Sequence, residues 1–316
     1  MTKKQAVLVT GGAGFIGIHV IEELQRRGHT AFVYDNLSFA RRSLVPVPES
    51  QFMQGDIRDP AGVAAALERF SPDVVIHLAA IHFIPYCNAH PYEAADVNIR
   101  GTMNVLDAAA ARPGVTHLLF ASTAAVYPIS DDPLSETSPT GPLDIYGLTK
   151  LTGERLCHEF FLRSGIPTTV VRFFNAFGTK ETNPHLIPEI HKQVLGGARR
   201  LALGNLAPKR DFIHTTDMAK ALTGLVEAGG RGHDTFNLGS GSEYSVTDVV
   251  EAFSRAIGQE LVIDVDPARV RKVERMHLLA DASKLSNHLG WKPLVTFDAG
   301  IAELARETRA FDDYDA

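Results

Sequence analysis

The sequence has few cysteines, no long apolar run and no surplus of basic residues. Its two cysteines, Cys87 and Cys157, lack the paired spacing of a zinc site or a disulfide scaffold. The 13 histidines form no H-E-x-x-H motif or similar ligand spacing, so we expect no metal site. Lysine and arginine number 31 against 37 acidic residues, which disfavours general nucleic-acid binding. No stretch approaches the roughly 18 apolar residues of a membrane span, and we expect a cytoplasmic protein without a membrane partner.

The first half of the chain alternates between short β-branched runs and helical patterns. A length of 316 residues is typical of two domains or of one two-lobed unit. The expected strands are Ala6–Thr10, Ala31–Tyr34, Val74–Leu78, His117–Ala121 and Thr168–Phe173. The expected helices are Gly14–Arg27, Ala61–Phe70, Tyr92–Ala111 and Tyr146–Leu162. This order predicts an α/β fold with a doubly wound parallel sheet, whose strands are buried on both faces.

The alternation ends after about Asn175, where glycine, proline and asparagine become frequent. Beyond it we expect helices at Leu186–Leu195, Thr216–Glu227 and Ser245–Ile257 and strands at Thr235–Leu238 and Leu261–Val265. We therefore predict a first unit of residues 1–175, to which later segments near 212–241 return. Residues 176–316 would form mainly a smaller mixed α/β lobe.

A glycine-rich loop follows the first strand. Gly11, Gly14 and Gly17 are spaced as G-x-x-G-x-x-G between a strand and a helix. Because these residues lack Cβ atoms, the loop can turn sharply and direct backbone N–H groups at a pyrophosphate; a tight turn without a ligand is the alternative. Asp35, about 20 residues on, is placed to accept from a ribose 2′-OH and to repel a 2′-phosphate. Together these features favour NAD over NADP and make residues 1–175 an NAD-binding Rossmann domain.

Tyr146 and Lys150 are four residues apart on an expected helix, which places both side chains on one face. A lysine beside a tyrosine stabilises the phenolate and lowers its pKa from about 10, which makes a general base usable near neutral pH. The strand His117–Ala121 leads into Ser122 and Thr123, whose hydroxyls could bond a reacting oxygen at the carboxyl edge of the sheet. Taken alone, these residues are also explained by a helix surface pair and by strand-end capping.

Together these motifs resemble the extended short-chain dehydrogenase/reductases that act on nucleotide sugars, the NAD-dependent epimerase/dehydratase family. The resemblance covers nearly the whole chain, and its pattern is most similar to the UDP-glucose 4-epimerases and their relatives. The matching motifs are Gly11–Gly17, Asp35–Ser38, Gly55–Ile57, His77–Ala80, Asn98, Ser122–Tyr127, Tyr146–Lys150, Arg172–Asn175, Arg210–His214, Phe236–Gly241, Ala280–Lys284 and Leu289–Trp291. So many motifs in one order exclude a chance match.

The resemblance implies roles for the residues at matching positions. It implies NAD as the cofactor, bound by Gly11, Gly14, Phe15, Ile16, Gly17, Asp35, Asn36, Ser38, Asp56, Ile57, Leu78, Ala79, Ala80, Asn98, Tyr146, Lys150 and Phe173. It implies a catalytic set of Tyr146, Lys150 and Thr123. It implies a nucleotide-diphosphate sugar bound by Thr123, Asn175, His185, Leu186, Arg210 and Arg271. Arginine suits a diphosphate because its charged fork pairs with phosphate oxygens.

The same resemblance implies a mechanism. The tyrosine would remove the proton of the sugar 4-OH while C4 passes a hydride to NAD, and a 4-ketose would form. A 4-epimerase returns the hydride to the other face of the sugar, whereas a 4,6-dehydratase loses water across C5 and C6. Familiar 4,6-dehydratases carry an Asp-Glu pair after the threonine, but this chain has Ala124 and Ala125, which cannot transfer a proton. The resemblance therefore implies a nucleotide-sugar 4-epimerase.

Three segments depart from the family pattern. His82 stands where 4-epimerases often carry lysine, and it either faces the nicotinamide or the sugar or packs in a loop. The usual R-P-G-D sequence is missing at Arg271, so that Arg269 or Arg275 could bind the diphosphate instead. The segment Gly204–Asp211 resembles that of GDP-mannose 4,6-dehydratase and favours a base other than uracil.

Other functions remain open at this stage. A 4-keto reductase, a C3/C5 epimerase or an atypical 4,6-dehydratase could use the same residues, although Asp35 argues against the NADPH of a net reductase. A non-catalytic dinucleotide sensor fits less well, because such proteins typically lose the tyrosine or the lysine. The resemblance also implies a homodimer in which the helices Tyr92–Ala111 and Tyr146–Leu162 pair across a two-fold axis, with ordinary core packing as the alternative.

Overall fold

A seven-stranded sheet dominates the computed structural model, which describes residues 3–181, 183–269 and 275–307. All neighbouring strands of this sheet are parallel. Numbered along the chain, the strands lie in the spatial order β10 (His233–Leu238), β6 (Thr168–Phe173), β5 (His117–Thr123), β4 (Val74–His77), β1 (Ala6–Thr10), β2 (Thr30–Asp35) and β3 (Phe52–Gln54). β4 and β5 are buried along their whole length, as their apolar sequences predict. The predicted doubly wound α/β sheet is thus confirmed.

Helices cover both faces of this sheet. The helices α1 (Phe15–Arg26) and α8 (Thr215–Ala228) pack together on one face. The other face carries α2 (Pro60–Phe70), α5 (Gly101–Ala111) and α6 (Ile145–Ser164). The helix α2 begins as its sequence predicts, because the Asp59 side chain accepts a hydrogen bond from the Ala61 nitrogen beside Pro60. None of the described helices is long and apolar enough to cross a membrane.

The expected single helix Tyr92–Ala111 is interrupted. The short helix α3 (Ile84–Ala89) is followed by α4 (Pro91–Ala95), and a π-helical turn at Asp96–Arg100 then joins α4 to α5. The helix packs closely against the loop after β3 just beyond this turn, since a Cβ at Gly101 would lie 2.5 Å from the Ile57 side chain. π-Helical turns of this kind are frequent at functional sites.

The later part of the chain builds two smaller sheets, which sequence analysis predicted only in part. One sheet joins β7 (Asn175–Phe177), β9 (Lys209–His214) and β11 (Glu243–Ser245), and the other pairs β8 (Arg200–Leu203) with β12 (Val262–Val265). Three helices pack around them: α7 (Leu186–Leu195), α9 (Val246–Ile257) and α11 (Phe297–Arg306). The fourth helix of this part of the chain, α10 (Ser283–Leu289), packs on β10 and α8 of the large domain. The helix α9 begins with the predicted capping box, in which Ser245 and Asp248 bond each other's backbone N–H groups.

The chain returns to the large sheet after β9. α8 packs on α1, and β10 pairs in parallel with β6 at the edge of the sheet. No loop separates β9 from α8, because α8 begins at Thr215 directly after His214, the last residue of β9. This connection holds the smaller sheet beside the carboxyl ends of the large sheet's strands.

Candidate active site

The candidate site is a cleft of about 1240 Å³ at the carboxyl ends of β1, β2, β4, β5 and β6. Open α/β sheets bind ligands at this edge. Residues of the smaller sheet close the opposite side of the cleft. The predicted site residues that line it are Gly11, Gly14, Phe15, Ile16, Gly17, Asp35, Asn36, Ser38, Ile57, Leu78, Ala79, Ala80, Thr123, Tyr146, Lys150, Phe173, Asn175, His185, Leu186 and Arg210.

The glycine loop joins β1 to α1 at one end of the cleft. A Cβ at Gly11, whose φ is +71°, would lie 2.6 Å from the Ala79 nitrogen, and a Cβ at Gly17 would lie 2.5 Å from the Gly11 oxygen. Only glycine fits at both positions. A Cβ at Gly14 would meet only the Gly11 oxygen, at 3.3 Å, and no side chain caps α1 there. The first N–H groups of α1 therefore face the cleft, in the arrangement that binds a pyrophosphate.

Asp35 ends β2 beside this loop and is buried. Its carboxylate accepts hydrogen bonds from the Ala13 nitrogen at 3.0 Å and from the Leu37 nitrogen at 2.8 Å. Burial raises the pKa of Asp35 above its usual value, although both hydrogen bonds act in the opposite direction. A carboxylate has about four acceptor positions, so Asp35 can still accept from a ribose hydroxyl.

Asp56 lies at the same end, and its side chain bonds two neighbouring residues; its contact with an adenine stays a prediction. It accepts from Arg58 Nε at 3.0 Å, from Arg58 Nη2 at 2.7 Å and from Asn36 Nδ2 at 3.0 Å. These bonds, led by those from Arg58, hold the pKa of Asp56 far below its usual range. Arg58 lines the cleft, whereas Asp56 is absent from the described lining. Asp56 therefore positions Arg58 and Asn36, and sequence analysis had not singled out Arg58.

Asn98 is buried and is absent from the described lining of the cleft, and its role in cofactor binding stays a prediction. It lies in the π-helical turn and is 1% exposed. Its side chain accepts from the Ile81 nitrogen at 2.8 Å and donates to the Ile81 oxygen at 2.9 Å and to Thr149 Oγ1 at 3.0 Å. Thr149 in turn donates to the Tyr146 oxygen. Asn98 thereby ties the loop after β4 to the start of α6.

Thr123 and Tyr146 face each other across the centre of the cleft. Thr123 is the last residue of β5, and Tyr146 is the second residue of α6, which begins where Asp144 accepts from the Gly147 nitrogen at 2.7 Å. Burial raises the pKa of Tyr146 well above its usual value, and the hydrogen bond from the Thr123 side chain lowers it in part. The pair places a hydroxyl and a phenol beside one space in the cleft.

Lys150 lies four residues after Tyr146 on α6 and also lines the cleft. Lys150 is 2% exposed, and its Nζ lies 4.3 Å from the centre of the Phe120 ring. Burial lowers the pKa of Lys150 from its usual 10.5 to about 8, while Cys157 and Glu154 act in the opposite direction. Burial is thus the largest influence on the pKa of both Tyr146 and Lys150.

A buried ion pair lies beneath the Thr123 end of β5, and sequence analysis had missed it. Glu154 accepts from Arg172 Nε at 2.9 Å and from Arg172 Nη2 at 2.7 Å, and Ser122 Oγ donates to the same carboxylate at 2.5 Å. Arg172 also donates to the Tyr127 hydroxyl at 2.9 Å. The network joins α6 to β5 and β6 directly below Thr123. Two signals could have revealed it: an arginine within an apolar strand, and a glutamate one turn after Lys150.

The substrate side of the cleft carries several arginines. Arg275 donates to the Tyr127 oxygen at 2.7 Å and to the Pro128 oxygen at 3.2 Å, and Arg210 donates to the Arg275 oxygen at 2.8 Å. Arg269 also lines the cleft and bonds Glu189 at 2.9 Å. Arg271, the predicted diphosphate ligand, lies outside the described residues.

The comparison with protein families covers most of the chain. Residues 7–239 match the NAD dependent epimerase/dehydratase family. UDP-glucose 4-epimerase of Corynebacterium glutamicum is 33% identical over 303 residues, which covers 91% of this chain and 90% of that protein. UDP-glucose 4-epimerase of Streptomyces lividans is 34% identical over 302 residues, with 90% and 91% covered.

Solved structures show the same similarity. UDP-glucose 4-epimerase of Thermus thermophilus in complex with NAD superposes with a TM-score of 0.85 at 30% identity, and 98% of each chain is covered. UDP-glucose 4-epimerase of Bifidobacterium longum, crystallised with NAD+ and UDP, gives a TM-score of 0.87 at 27% identity, again with 98% of each chain covered. The similarity thus includes both the large sheet and the smaller one.

Proposed function

Because this chain belongs to the NAD-dependent epimerase/dehydratase family, we propose that it is a nucleotide-sugar 4-epimerase that uses bound NAD. The observation that carries the proposal is the meeting of Thr123, Tyr146 and Lys150 in one cleft with a glycine-loop dinucleotide site. The relatives named above are UDP-glucose 4-epimerases, and two of the similar structures contain NAD.

The residues at the glycine loop fit NAD. The cradle at Gly11 and Gly17 has no room for a Cβ, and the first N–H groups of α1 face the cleft for the two phosphates. The loop holds Asp35 in place, and its carboxylate suits a hydrogen bond from the free 2′-hydroxyl of a ribose. Bound there, NAD would accept a hydride from the sugar and return it.

The chain's own groups supply the proton chemistry. Tyr146 Oη takes the proton of the sugar 4-OH and later gives it back, while Thr123 Oγ1 bonds the same sugar oxygen. Both side chains lie in the cleft, and Thr123 already lowers the pKa of Tyr146. Lys150, whose pKa is about 8, carries a positive charge at neutral pH and stabilises a developing phenolate.

Ala124 and Ala125 support epimerisation over dehydration. Both line the cleft directly after Thr123, in the positions where familiar dehydratases carry an acid and a base. A methyl group transfers no proton. These two positions therefore supply no acid or base for the loss of water across C5 and C6 of a 4-keto sugar. Asp35 acts against NADPH, and this disfavours a net reductase.

The diphosphate of the substrate binds on the side of the cleft that carries the arginines. Arg210 and Arg275 lie together there, and Asn175 donates to the Asp211 oxygen at 3.3 Å beside them. His185 and Leu186, at the start of α7, line the wall between the arginines and the sugar. The names of the relatives make UDP-hexoses the first substrates to test, and the segment Gly204–Asp211 makes GDP-hexoses the second.

The purified protein, without added cofactor, should convert one member of a panel of nucleotide-hexoses and nucleotide-hexuronic acids. The expected product has unchanged mass and a new retention time. A product lighter by one water would instead identify a dehydratase. Retained NAD with no product from any substrate would point to a reductase or a sensor and contradict the proposal.

A further inference from the structure

A short segment between β7 and α7 runs along the open side of the cleft. We call its described residues, 178–181 and 183–185, the strap. Glu181, Asn183 and His185 of the strap line the cleft, opposite the loop that follows β4. The segment belongs to the smaller lobe, yet it contacts the large domain at both ends.

One end of the strap is fixed to α1. Lys180 Nζ donates to Glu22 Oε1 at 2.7 Å, and the His19 ring lies 3.1 Å from the Thr179 oxygen. Lys180 has a φ of +68°, an unfavourable conformation for a residue with a side chain. The strap is thus bent sharply where it leaves the helix that begins at the glycine loop.

The other end contacts the loop after β4. Asn183 Nδ2 lies 3.2 Å from His82 Nε2, across 101 residues of sequence. The His185 ring lies 5.8 Å from the His82 ring and 5.7 Å from the Phe83 ring. One hydrogen bond and two ring contacts therefore join the two sides of the cleft.

The strap holds its own end of this contact rigidly. His185 Nδ1 lies 2.5 Å from Glu181 Oε1, and Glu181 is buried. The His185 nitrogen donates to the Asn183 oxygen at 2.8 Å. Asn183 is therefore presented to His82 from a fixed turn.

The geometry also determines which nitrogen of His82 carries its proton. Desolvation, followed by the His185 and Lys150 charges, lowers the pKa of His82, although the residue is exposed at the cleft. The Asn183 amide donates to Nε2, so the proton of the neutral ring lies on Nδ1. Nδ1–H is a donor in the cleft, near enough to Lys150 for that charge to lower the pKa of His82.

We propose that His82 and Asn183 form a latch that retains the 4-keto sugar between the two hydride transfers, with His82 as the sugar-binding residue and Asn183 as its positioning residue. The proposal rests on the proposed function. A 4-epimerase must let the keto sugar turn, so the sugar ring cannot be held tightly by the catalytic groups. Contacts at the open side of the cleft must then prevent its escape, and the latch supplies them. His82 Nδ1–H bonds the sugar while Asn183 keeps the ring in place.

The test compares His82→Phe, Asn183→Ala and the double variant with the wild type. The control is His288→Phe, since His288 is an exposed histidine outside the lining of the cleft. During turnover one measures the keto sugar released, by trapping with a carbonyl reagent, and the fraction of protein left with reduced nicotinamide. Bound NAD and KM are measured in parallel.

Each latch variant should release about ten-fold more keto sugar per turnover, the effect of one lost hydrogen bond of about 1.4 kcal/mol. Bound NAD should stay at the wild-type level, and the double variant should release no more than His82→Phe alone, because both residues act through one bond. His82→Gln, which restores a donor and an acceptor, should recover part of the retention.

Unchanged release in both single variants would overturn the latch while leaving the epimerase intact. Loss of NAD from His82→Phe would assign His82 to the cofactor instead. Additive effects in the double variant would show that the two residues act separately. A wild-type protein that epimerises no nucleotide sugar would overturn the proposed function, and the latch with it.

Discussion

At the scale of single residues, the structure separates the groups that face the cleft from those that position them. Asp56 and Asn98 matched family motifs, yet their side chains bond Arg58 and Ile81 instead of lining the cleft. A motif records that a residue type is needed at a position, but it does not distinguish contact with a ligand from support of a neighbour.

Tyr146→Phe removes the proposed base and keeps the ring. We expect kcat to fall by roughly 10²- to 10⁴-fold, the usual contribution of a positioned acid–base group. Bound NAD should remain at the wild-type level, because the dinucleotide site is unchanged. Activity is followed by chromatography of the product, and Tyr92→Phe, at a side chain 90% exposed, is the matched control. Turnover near that of the wild type would exclude Tyr146 as the base.

Lys150 gives a pH dependence with a definite sign. Its pKa is lowered from 10.5 to about 8 in the folded protein, so between these values the unfolded chain binds more protons than the folded one. The free energy of unfolding should therefore rise with pH from about 8 to 10.5, by up to a few kcal/mol, relative to Lys150→Met. Urea titrations of both proteins at several pH values measure the difference. A difference that is constant or falls over this range would show that Lys150 is not destabilised by burial.

At the scale of elements, the glycine loop that joins β1 to α1 allows two glycine-to-alanine substitutions to be compared. In Gly17→Ala the new Cβ would lie 2.5 Å from the Gly11 oxygen and 2.7 Å from the Gly12 Cα, both backbone atoms. In Gly14→Ala the closest atom is at 3.3 Å. We expect Gly17→Ala to lose bound NAD and at least about 1 kcal/mol of stability, and Gly14→Ala to lose much less. NAD content after gel filtration and thermal unfolding measure the two losses. Larger losses in Gly14→Ala than in Gly17→Ala would contradict this prediction.

Sequence patterns predicted the elements of the large sheet well and those of the smaller lobe only in part. Strands such as Ala6–Thr10 and Thr168–Phe173 are buried on both faces, so their apolar runs are unambiguous. β9 begins with Lys209, Arg210 and Asp211, and its polar sequence gives no such signal. The π-helical turn at Asp96–Arg100 lies in a stretch whose sequence pattern predicted one uninterrupted helix.

Sequence analysis could predict those residues of the candidate site whose type and spacing have a single physical explanation. The glycines of the loop and Asp35 are of this kind. The Glu154–Arg172 pair and the His82–Asn183 contact join residues that are distant in sequence, and only the fold brings them together. The orientation of Lys150 depends on the Phe120 ring beneath it, which helical spacing does not reveal.

At the scale of the whole molecule, α5 and α6 expose apolar side chains on the surface that the resemblance assigns to a homodimer. Met103, Leu148 and Leu162 are 45%, 52% and 69% exposed. We expect a dimer in sedimentation velocity, and Leu162→Glu should shift it towards monomer because a charge in an apolar interface is costly. Leu294→Glu, at a side chain 73% exposed outside these helices, is the control and should stay dimeric. A monomeric wild type would exclude this assembly.

The return of β10 to the edge of the large sheet affects how the protein is made. β6 ends at residue 173 and β10 at residue 238, so 65 further residues must be made before the pairing strand is complete. At roughly 5–20 residues per second, synthesis leaves the outer edge of β6 unpaired for roughly 3–13 seconds after it emerges. An open strand edge is a template for aggregation, so the nascent chain is exposed to pairing with other chains during this interval. A gene truncated at residue 175 would make this exposure permanent.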